Sequence, residues 1–168
     1  VQNANDPPWL ATYPAVYKYH DFPPYVAVEG SMSFRAQNAV KMMAESGKLS
    51  FEQFEKIKTS TYSLMTERVL DDLLTAAGES NDEMVHQAAQ VLKAWDRQFG
   101  VDNRAGILFE NWAELFAGKR SGFSDQSNYA VPWQAESPLS TPYGLKDPEA
   151  AVAMLKKAAE HPIATYGR

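Results

Sequence analysis

Apolar stripes at helical spacing dominate residues 31–118, and most of them stop at a glycine. Such stripes place apolar side chains three and four residues apart, on one face of an α-helix. Gly47, Gly78, Gly100 and Gly118 stand where four of five predicted helices end, a position that glycine favours. No segment alternates apolar and polar residues long enough to predict a sheet. The chain is therefore predicted to be mainly α.

The starts of these helices have recognisable caps. Ser31 or Ser33 is predicted to cap the first helix. The spacing of a capping box occurs twice more, in Ser50 with Gln53 and in Ser80 with Glu83. Each of the next three helices is predicted to have one core-facing stripe. The stripe consists of Leu70, Leu73, Leu74 and Ala77 on the third helix, and of Leu108, Trp112 and Leu115 on the fifth. On the fourth helix, which is predicted to end at Gly100, it consists of Val85, Ala88, Leu92, Trp95 and Phe99. A sixth helix is predicted after the Asp147 cap, with Pro148 at its first position and Pro162 at its end.

Two segments interrupt the helical pattern. Residues 1–30 hold five prolines and six large aromatic residues between Trp9 and Tyr25, which predicts a long aromatic loop. Val1-Gln2 is interpreted as the end of a strand that enters this loop. Residues 119–146 are also predicted to be loop. The 168 residues are expected to form one domain, with about six helices and long Pro-rich loops.

Composition excludes several classes of function. A net charge of −5 argues against a nucleic-acid surface, and no apolar run is long enough to span a bilayer. The absence of Cys excludes a thiolate metal site and a Cys nucleophile. His20, His86 and His161 have no second His at ligand spacing, so neither metal nor cofactor is expected. The acidic pairs Asp71-Asp72 and Asp82-Glu83 are better explained by solvation and helix capping than by acid–base catalysis.

The opening stretch, VQNANDPPW, carries the clearest candidate chemistry. Asn3 and Asn5 point the same way if the segment is extended. A carboxamide held at a strand end can donate to an oxygen that gains negative charge. The alternative is an Asx turn before the proline pair, where Asn and Asp are common.

Longer stretches extend the pattern. VQNANDPPW is followed by FRAQNAVKMMAESGKLSFEQFEKIKTSTYSLMTERVLDDLL and later by VLKAWDRQFGVDNRAGILFENWAELF, which contains a Trp-Asp pair. In this order they resemble the penicillin amidase (penicillin acylase) family of N-terminal nucleophile hydrolases. The resemblance covers most of residues 1–118 and is strongest to the branch that includes acyl-homoserine lactone and aculeacin acylases. It is weaker over residues 119–168.

The resemblance implies a role for four residues. Asn5 is expected to donate its side-chain N–H to the tetrahedral oxyanion, and Arg35 to orient the site. Asn3 is expected to be a supporting amide at the substrate. Trp9, in the aromatic loop, is expected to line the approach to an apolar acyl pocket. The alternative for Arg35 is an ordinary first-turn arginine, and the alternative for the loop rings is simple packing.

The resemblance also implies how the whole enzyme is organised. The parent fold would be the four-layer αββα fold, and the nucleophile a Ser, Thr or Cys freed by self-cleavage of a zymogen. Residue 1 is Val, so the chain is interpreted as an internal fragment of the large subunit, inert alone. The expected partners are an acyl-amide substrate, the small subunit and the rest of the large subunit. Calcium occurs in some relatives, but no cluster of oxygen ligands here indicates such a site.

The resemblance further implies a periplasmic or secreted enzyme of antibiotic biosynthesis or quorum quenching. A hypothesis of another class stays open at this point. The chain could be a helical interaction module that binds through its aromatic loop and has no chemistry.

Overall fold

Six α-helices and one two-stranded sheet make up the described chain. The computed structural model describes residues 5–27, 29–118 and 125–166, with side chains through Glu160. The helices and strands are α1 Phe34–Glu45, α2 Phe51–Lys58, α3 Thr66–Gly78, α4 Glu83–Lys93, α5 Arg104–Ala117, β1 Tyr129–Val131, β2 Tyr143–Leu145 and α6 Pro148–Tyr166. The prediction of a mainly α chain is confirmed. The proposed strand end at Val1-Gln2 lies outside the described residues.

Contacts within the chain divide it into two units. The first contains the described residues of Val1–Ser60 together with Trp133–Thr141, and the second contains those of Thr61–Pro132 and Pro142–Arg168. That the chain forms a single domain stays a prediction.

The first unit packs the aromatic loop against α1. Short 3₁₀ turns at Pro8–Leu10 and Tyr19–Asp21 shape the loop. Its core contains Trp9, Leu10, Met32, Ala36 and Val40, with Tyr19, Phe22, Ala27, Trp133 and Leu139 partly buried against it. The predicted caps are present, because the Ser33 hydroxyl accepts from the Ala36 N–H and Ser50 and Gln53 form a reciprocal capping box.

A buried glutamine holds α1 to the segment Trp133–Thr141. The side chain of Gln37 is fully buried, and its Nε2 donates to the carbonyl oxygens of Met32 at 3.0 Å and Thr141 at 2.9 Å. Both acceptors are backbone groups whose burial without a donor would be costly. Gln37 therefore fixes the residues that precede α1 as well as a segment 104 positions later in the chain.

The second unit packs α6 against α3, α4 and α5. A run of aromatic rings crosses its core, with centroid separations of 5.3, 5.5, 4.7 and 5.0 Å along Trp95, Phe109, Trp112, Phe116 and Tyr129. The Trp112 Nε1 donates to the Ala151 carbonyl at 3.0 Å, which ties α5 to α6. Trp112 and Leu155 have no exposed surface, so both side chains lie fully inside this core.

Several sequence predictions about the second unit are wrong in detail. The loop predicted over 119–146 contains both β1 and β2, which pair antiparallel with Tyr129 opposite Leu145, and its residues 119–124 lie outside the described residues. The fourth helix ends at Lys93, well before Gly100. The capping box of Ser80 with Glu83 is replaced by a cap at Asp82, whose side chain accepts from the Met84 and Val85 N–H groups.

Two further corrections concern side-chain direction and helix length. Leu115 was expected to point inward but is 36% exposed, whereas Leu108 and Trp112 are buried as predicted. The sixth helix starts as predicted, with the Ala150 N–H donating to Asp147. It continues past Pro162 to Tyr166, so the missing backbone N–H of the proline does not end the helix.

Candidate functional site

Asn5 lies at the start of the described chain in a left-handed backbone conformation. Its φ is 67°, a region that Asn tolerates better than most residues. Asn3 and Asn5 would point the same way only in an extended segment, and the backbone at Asn5 is not extended. Asp6, Pro7 and Pro8 follow, and the chain enters the first 3₁₀ turn, where the Leu10 N–H donates to the Pro7 carbonyl at 2.9 Å. The left-handed φ of Asn5 and the 3₁₀ turn that follows it therefore define the backbone from which the Asn5 carboxamide extends.

Arg35 reaches the carboxamide of Asn5 from α1. It is the second residue of α1, just after the Ser33 cap, and its Nη2 donates to the Asn5 Oδ1 at 2.7 Å. The two residues are 30 positions apart in sequence and both are exposed in the described structure. The chain therefore brings together the two residues to which the resemblance assigned the catalytic chemistry.

The chemistry of the two groups fixes which way the carboxamide points. A guanidinium has only donors, so the atom that it contacts must be the amide oxygen. The amide nitrogen Nδ2, with its two N–H donors, is then held on the opposite side of the same planar group. A charge-assisted bond of this length is among the stronger side-chain hydrogen bonds. The hydrogen bond therefore sets the orientation of the carboxamide and places a positive charge on its oxygen side.

Trp9, the proposed substrate contact, belongs to the core of the first unit. It is only 6% exposed, and its ring meets Tyr19 edge-on at 5.1 Å and Phe22 at 5.7 Å. Its buried Nε1 has no hydrogen-bond partner among the described residues. The ring anchors the aromatic loop, and its contact with substrate stays a prediction. Asn3, the other proposed substrate contact, lies outside the described residues.

Other polar groups are explained by structure alone. The His86 Nε2 donates to the Ser80 carbonyl, and so it closes the turn before α4. In the described residues, no group of three or more His, Asp or Glu side chains is placed to hold a metal ion. None of the helices in the described chain combines the length and hydropathy that crossing a lipid bilayer requires.

Arg68 and Gln37 are buried polar residues that the sequence analysis missed. Burial lowers the pKa of Arg68 on α3, although the neighbouring Glu67 opposes this effect. Burial likewise raises the pKa of the Tyr129 hydroxyl, so that this group stays neutral. Both Arg68 and Gln37 occupy helix positions that face the core, and helical periodicity read for apolar residues alone passes over them.

Comparison with known proteins places the chain in a family. The sequence profile of penicillin amidase matches residues 1–166, and the chain belongs to the penicillin amidase family. The prediction of family membership is confirmed. Among its curated relatives is an acyl-homoserine lactone acylase, PvdQ, of Pseudomonas putida, which is 27% identical over 157 residues. That match covers 92% of this chain and 19% of the relative, so the chain spans about a fifth of the relative's length.

Proposed function

We propose that this chain supplies the oxyanion-stabilising amide of an acylase, an enzyme that removes an acyl group from an amine. Three observations support the proposal. The chain belongs to the penicillin amidase family, and one relative bears the name of an acyl-homoserine lactone acylase. Asn5 and Arg35, the two residues to which the resemblance assigns catalytic roles, are in direct contact.

The hydrogen bond from the Arg35 Nη2 to the Asn5 Oδ1 is the observation that best supports the oxyanion role of Asn5. Asn5 can stabilise an oxyanion only through its Nδ2–H groups, so its oxygen must be directed elsewhere. Arg35 binds this oxygen and so selects the one of the two amide orientations that presents the donor.

In the proposed reaction, an N-terminal Ser, Thr or Cys outside this chain attacks the acyl carbon of the amide. Its own α-amino group takes the proton from the attacking hydroxyl or thiol. The carbonyl oxygen becomes an oxyanion, which accepts a hydrogen bond from the Asn5 Nδ2–H. Collapse of this intermediate breaks the C–N bond, and the amine leaves with the proton from the α-ammonium. Water then attacks the acyl-enzyme by the same route and releases the carboxylic acid.

The proposal extends to the partners and the location of the enzyme. The nucleophile and a second oxyanion donor would come from other parts of the same precursor. We expect a periplasmic or secreted enzyme that matures by self-cleavage. The acidic composition, with a net charge of −5, fits an uncharged amide substrate better than a nucleic acid.

Asn5→Gly in the complete enzyme tests the proposal with little backbone disturbance. Glycine adopts the left-handed conformation that Asn5 has, whereas alanine would add strain there. Removing one oxyanion donor should lower kcat by about 10²–10³. Arg97→Gly is the matched control, because Arg97 also has a positive φ of 65° but lies in the second unit.

The release of amine is measured for both variants, after electrophoresis has established that each has matured. We expect Arg97→Gly to retain wild-type turnover. Unchanged turnover in Asn5→Gly would refute the oxyanion assignment.

A further inference from the structure

The start of α1 is held by a side chain that no step of the proposed reaction uses. Gln37 lies two residues after Arg35 and is completely buried, whereas Arg35 is exposed. Side chains two positions apart on a helix point about 200° apart, so Gln37 faces the core while Arg35 faces outward and reaches Asn5. The two residues thus occupy opposite sides of the same helical turn.

The Gln37 amide closes a ring around Arg35. Its Nε2 donates to the Met32 carbonyl at 3.0 Å, across the first turn of α1. Met32 precedes the Ser33 cap, so this hydrogen bond joins the residue before the helix to the helix itself. Arg35 lies in the stretch that the bond encloses, between the acceptor and the donor. Unwinding of the start of α1 would therefore break the bond.

The same amide nitrogen also binds a segment that is distant in sequence. The Gln37 Nε2 donates to the Thr141 carbonyl at 2.9 Å. A carboxamide nitrogen has two N–H donors, so one glutamine can serve both the Met32 and the Thr141 carbonyls. An aliphatic side chain could serve neither, and a buried cation in its place would be costly.

The segment Trp133–Thr141 that carries the second acceptor has a backbone defined by its own hydrogen bonds. The Thr141 hydroxyl donates to the Ser137 carbonyl at 2.8 Å and accepts from the Gln134 N–H at 2.9 Å. The Thr141 N–H also donates to the Ser137 carbonyl, at 3.2 Å. Gln37 therefore ties the start of α1 to a segment that is itself held in one conformation.

The contact between Arg35 and Asn5 tolerates little displacement of α1. It is 2.7 Å long, and a side-chain contact of about 3.6 Å is no longer a hydrogen bond, so lengthening it by about 0.9 Å removes it. Both residues are exposed, so the geometry of the pair depends largely on the two backbones from which the side chains extend. One of these backbones is the turn that Gln37 holds.

We propose that Gln37 is a positioning residue for the candidate catalytic pair. By fixing the start of α1, it keeps Arg35 on the Asn5 Oδ1 and so keeps the Asn5 Nδ2–H groups directed at the oxyanion. Gln37 contacts no reacting group and acts only through Arg35. The proposal rests on the proposed function, because it assumes that the orientation of the Asn5 carboxamide limits turnover.

Gln37→Leu in the complete enzyme tests this role. Leucine keeps a similar volume and a good helix propensity in α1, but it has no donor. Val40→Ala is the matched control, because Val40 is buried about one turn further along α1 and its truncation weakens packing without removing a hydrogen bond. The kcat and KM of amide hydrolysis are measured per matured enzyme, at a temperature at which circular dichroism shows that each variant is folded.

The loss should appear in kcat and should depend on Arg35. Gln37→Leu weakens the hydrogen bond to Asn5, whereas Arg35→Met removes it, so kcat should fall by about three- to tenfold and by no more than in Arg35→Met. KM should change little. In the Arg35→Met enzyme, Gln37→Leu should change kcat by less than about twofold. Val40→Ala should keep wild-type kcat in both backgrounds.

Three results would overturn the positioning role. Wild-type kcat in Gln37→Leu would show that Arg35 needs no such support. Equal losses of kcat in Gln37→Leu and Val40→Ala would show that Gln37 is only structural. A loss that multiplies with that of Arg35→Met would show that Gln37 does not act through Arg35.

Thr141→Val provides a second route if Gln37→Leu does not mature. Valine keeps the branched shape of threonine and leaves Gln37 in place, but it removes the hydroxyl that holds the segment Trp133–Thr141. We expect a smaller loss of kcat than in Arg35→Met, and this loss should again disappear in the Arg35→Met enzyme. Wild-type kcat in Thr141→Val, or a loss that persists without Arg35, would then overturn the proposal.

The two proposals fail in different ways. If Asn5→Gly lowers turnover as expected while Gln37→Leu keeps wild-type kcat, only the positioning role is overturned. If Asn5→Gly leaves turnover unchanged, the proposed function itself is overturned, whatever the result for Gln37→Leu.

Discussion

Arg35→Met should reveal whether the guanidinium acts through Asn5. Methionine keeps an unbranched stem and a good helix propensity in α1, but it removes the donor that binds the Asn5 Oδ1 at 2.7 Å. A hydrogen bond with one charged partner contributes about 1.5–3 kcal/mol, and exposure of this pair favours the lower end. Since about 1.4 kcal/mol is tenfold in rate, kcat should fall about tenfold, and at most about 100-fold.

A double-mutant cycle separates positioning from independent action. If Arg35 only orients the carboxamide, Arg35→Met should have almost no further effect once Asn5→Gly has removed the group it orients. KM should change little in either background, and Arg35→Lys should restore part of kcat because lysine is also a donor. Lys41→Met serves as the control for loss of a cation from α1.

The assay is steady-state amide hydrolysis by the four proteins of the cycle, with maturation checked for each. Losses that multiply in the double variant would show that Arg35 acts independently of Asn5. Wild-type kcat in Arg35→Met would show that the contact does not hold the amide. Either result refutes the reasoning from this hydrogen bond.

Three further predictions concern stability. Leu108→Ala should lower the free energy of unfolding by about 2–5 kcal/mol and Leu115→Ala by much less, because Leu108 is buried and Leu115 is 36% exposed on the same helix. Urea denaturation measures both losses, and equal losses would contradict the assignment of Leu108 to the buried face of α5. Gln37→Leu should cost about 1–3 kcal/mol in the same assay because it leaves the Met32 and Thr141 carbonyls without their donor, and an unchanged midpoint would contradict this. The hydrogen bond from Lys156, and then those from the Met84 and Val85 N–H groups, lower the pKa of Asp82 from 3.8. The contribution of Asp82 to stability is therefore present above pH 3.8 and is lost as the pH falls through the lowered pKa, so the difference in unfolding free energy between wild type and Asp82→Asn should shrink in acid. A difference that is constant with pH would contradict the pairing of Asp82 with Lys156.

The sequence predicted those parts of the fold that local chemistry determines. The Ser50–Gln53 capping box and the end of α5 before Gly118 depend on residues within a few positions of one another, and both are confirmed. The contact between Asn5 and Arg35 spans 30 positions, and the sequence alone gave only their separate roles through the family resemblance. Helical periodicity relates residues three or four positions apart, so it cannot predict a contact between residues 30 positions apart.

The errors arise where local signals compete with tertiary contacts. Trp95 and Phe99 continue the stripe of α4, yet the chain turns there, because Asp96 accepts from the Gln98 N–H and the Trp95 Nε1 donates to the Gln98 carbonyl at 2.7 Å. Arg97 takes a positive φ in this turn and its carbonyl accepts from the Ser63 N–H at 2.9 Å. The strands β1 and β2 are three residues each, too short to show alternation.

The direction of the Asn5 carboxamide in a trapped reaction intermediate is the most direct test of the whole account. A crystal structure of the complete enzyme, with a tetrahedral adduct on its nucleophile, would measure it. We expect the Asn5 Nδ2 at about 2.7–3.1 Å from the oxyanion, with the Arg35 guanidinium still bound to the Asn5 Oδ1. An adduct whose oxyanion is bound by other donors, with Nδ2 turned away from it, would contradict the account.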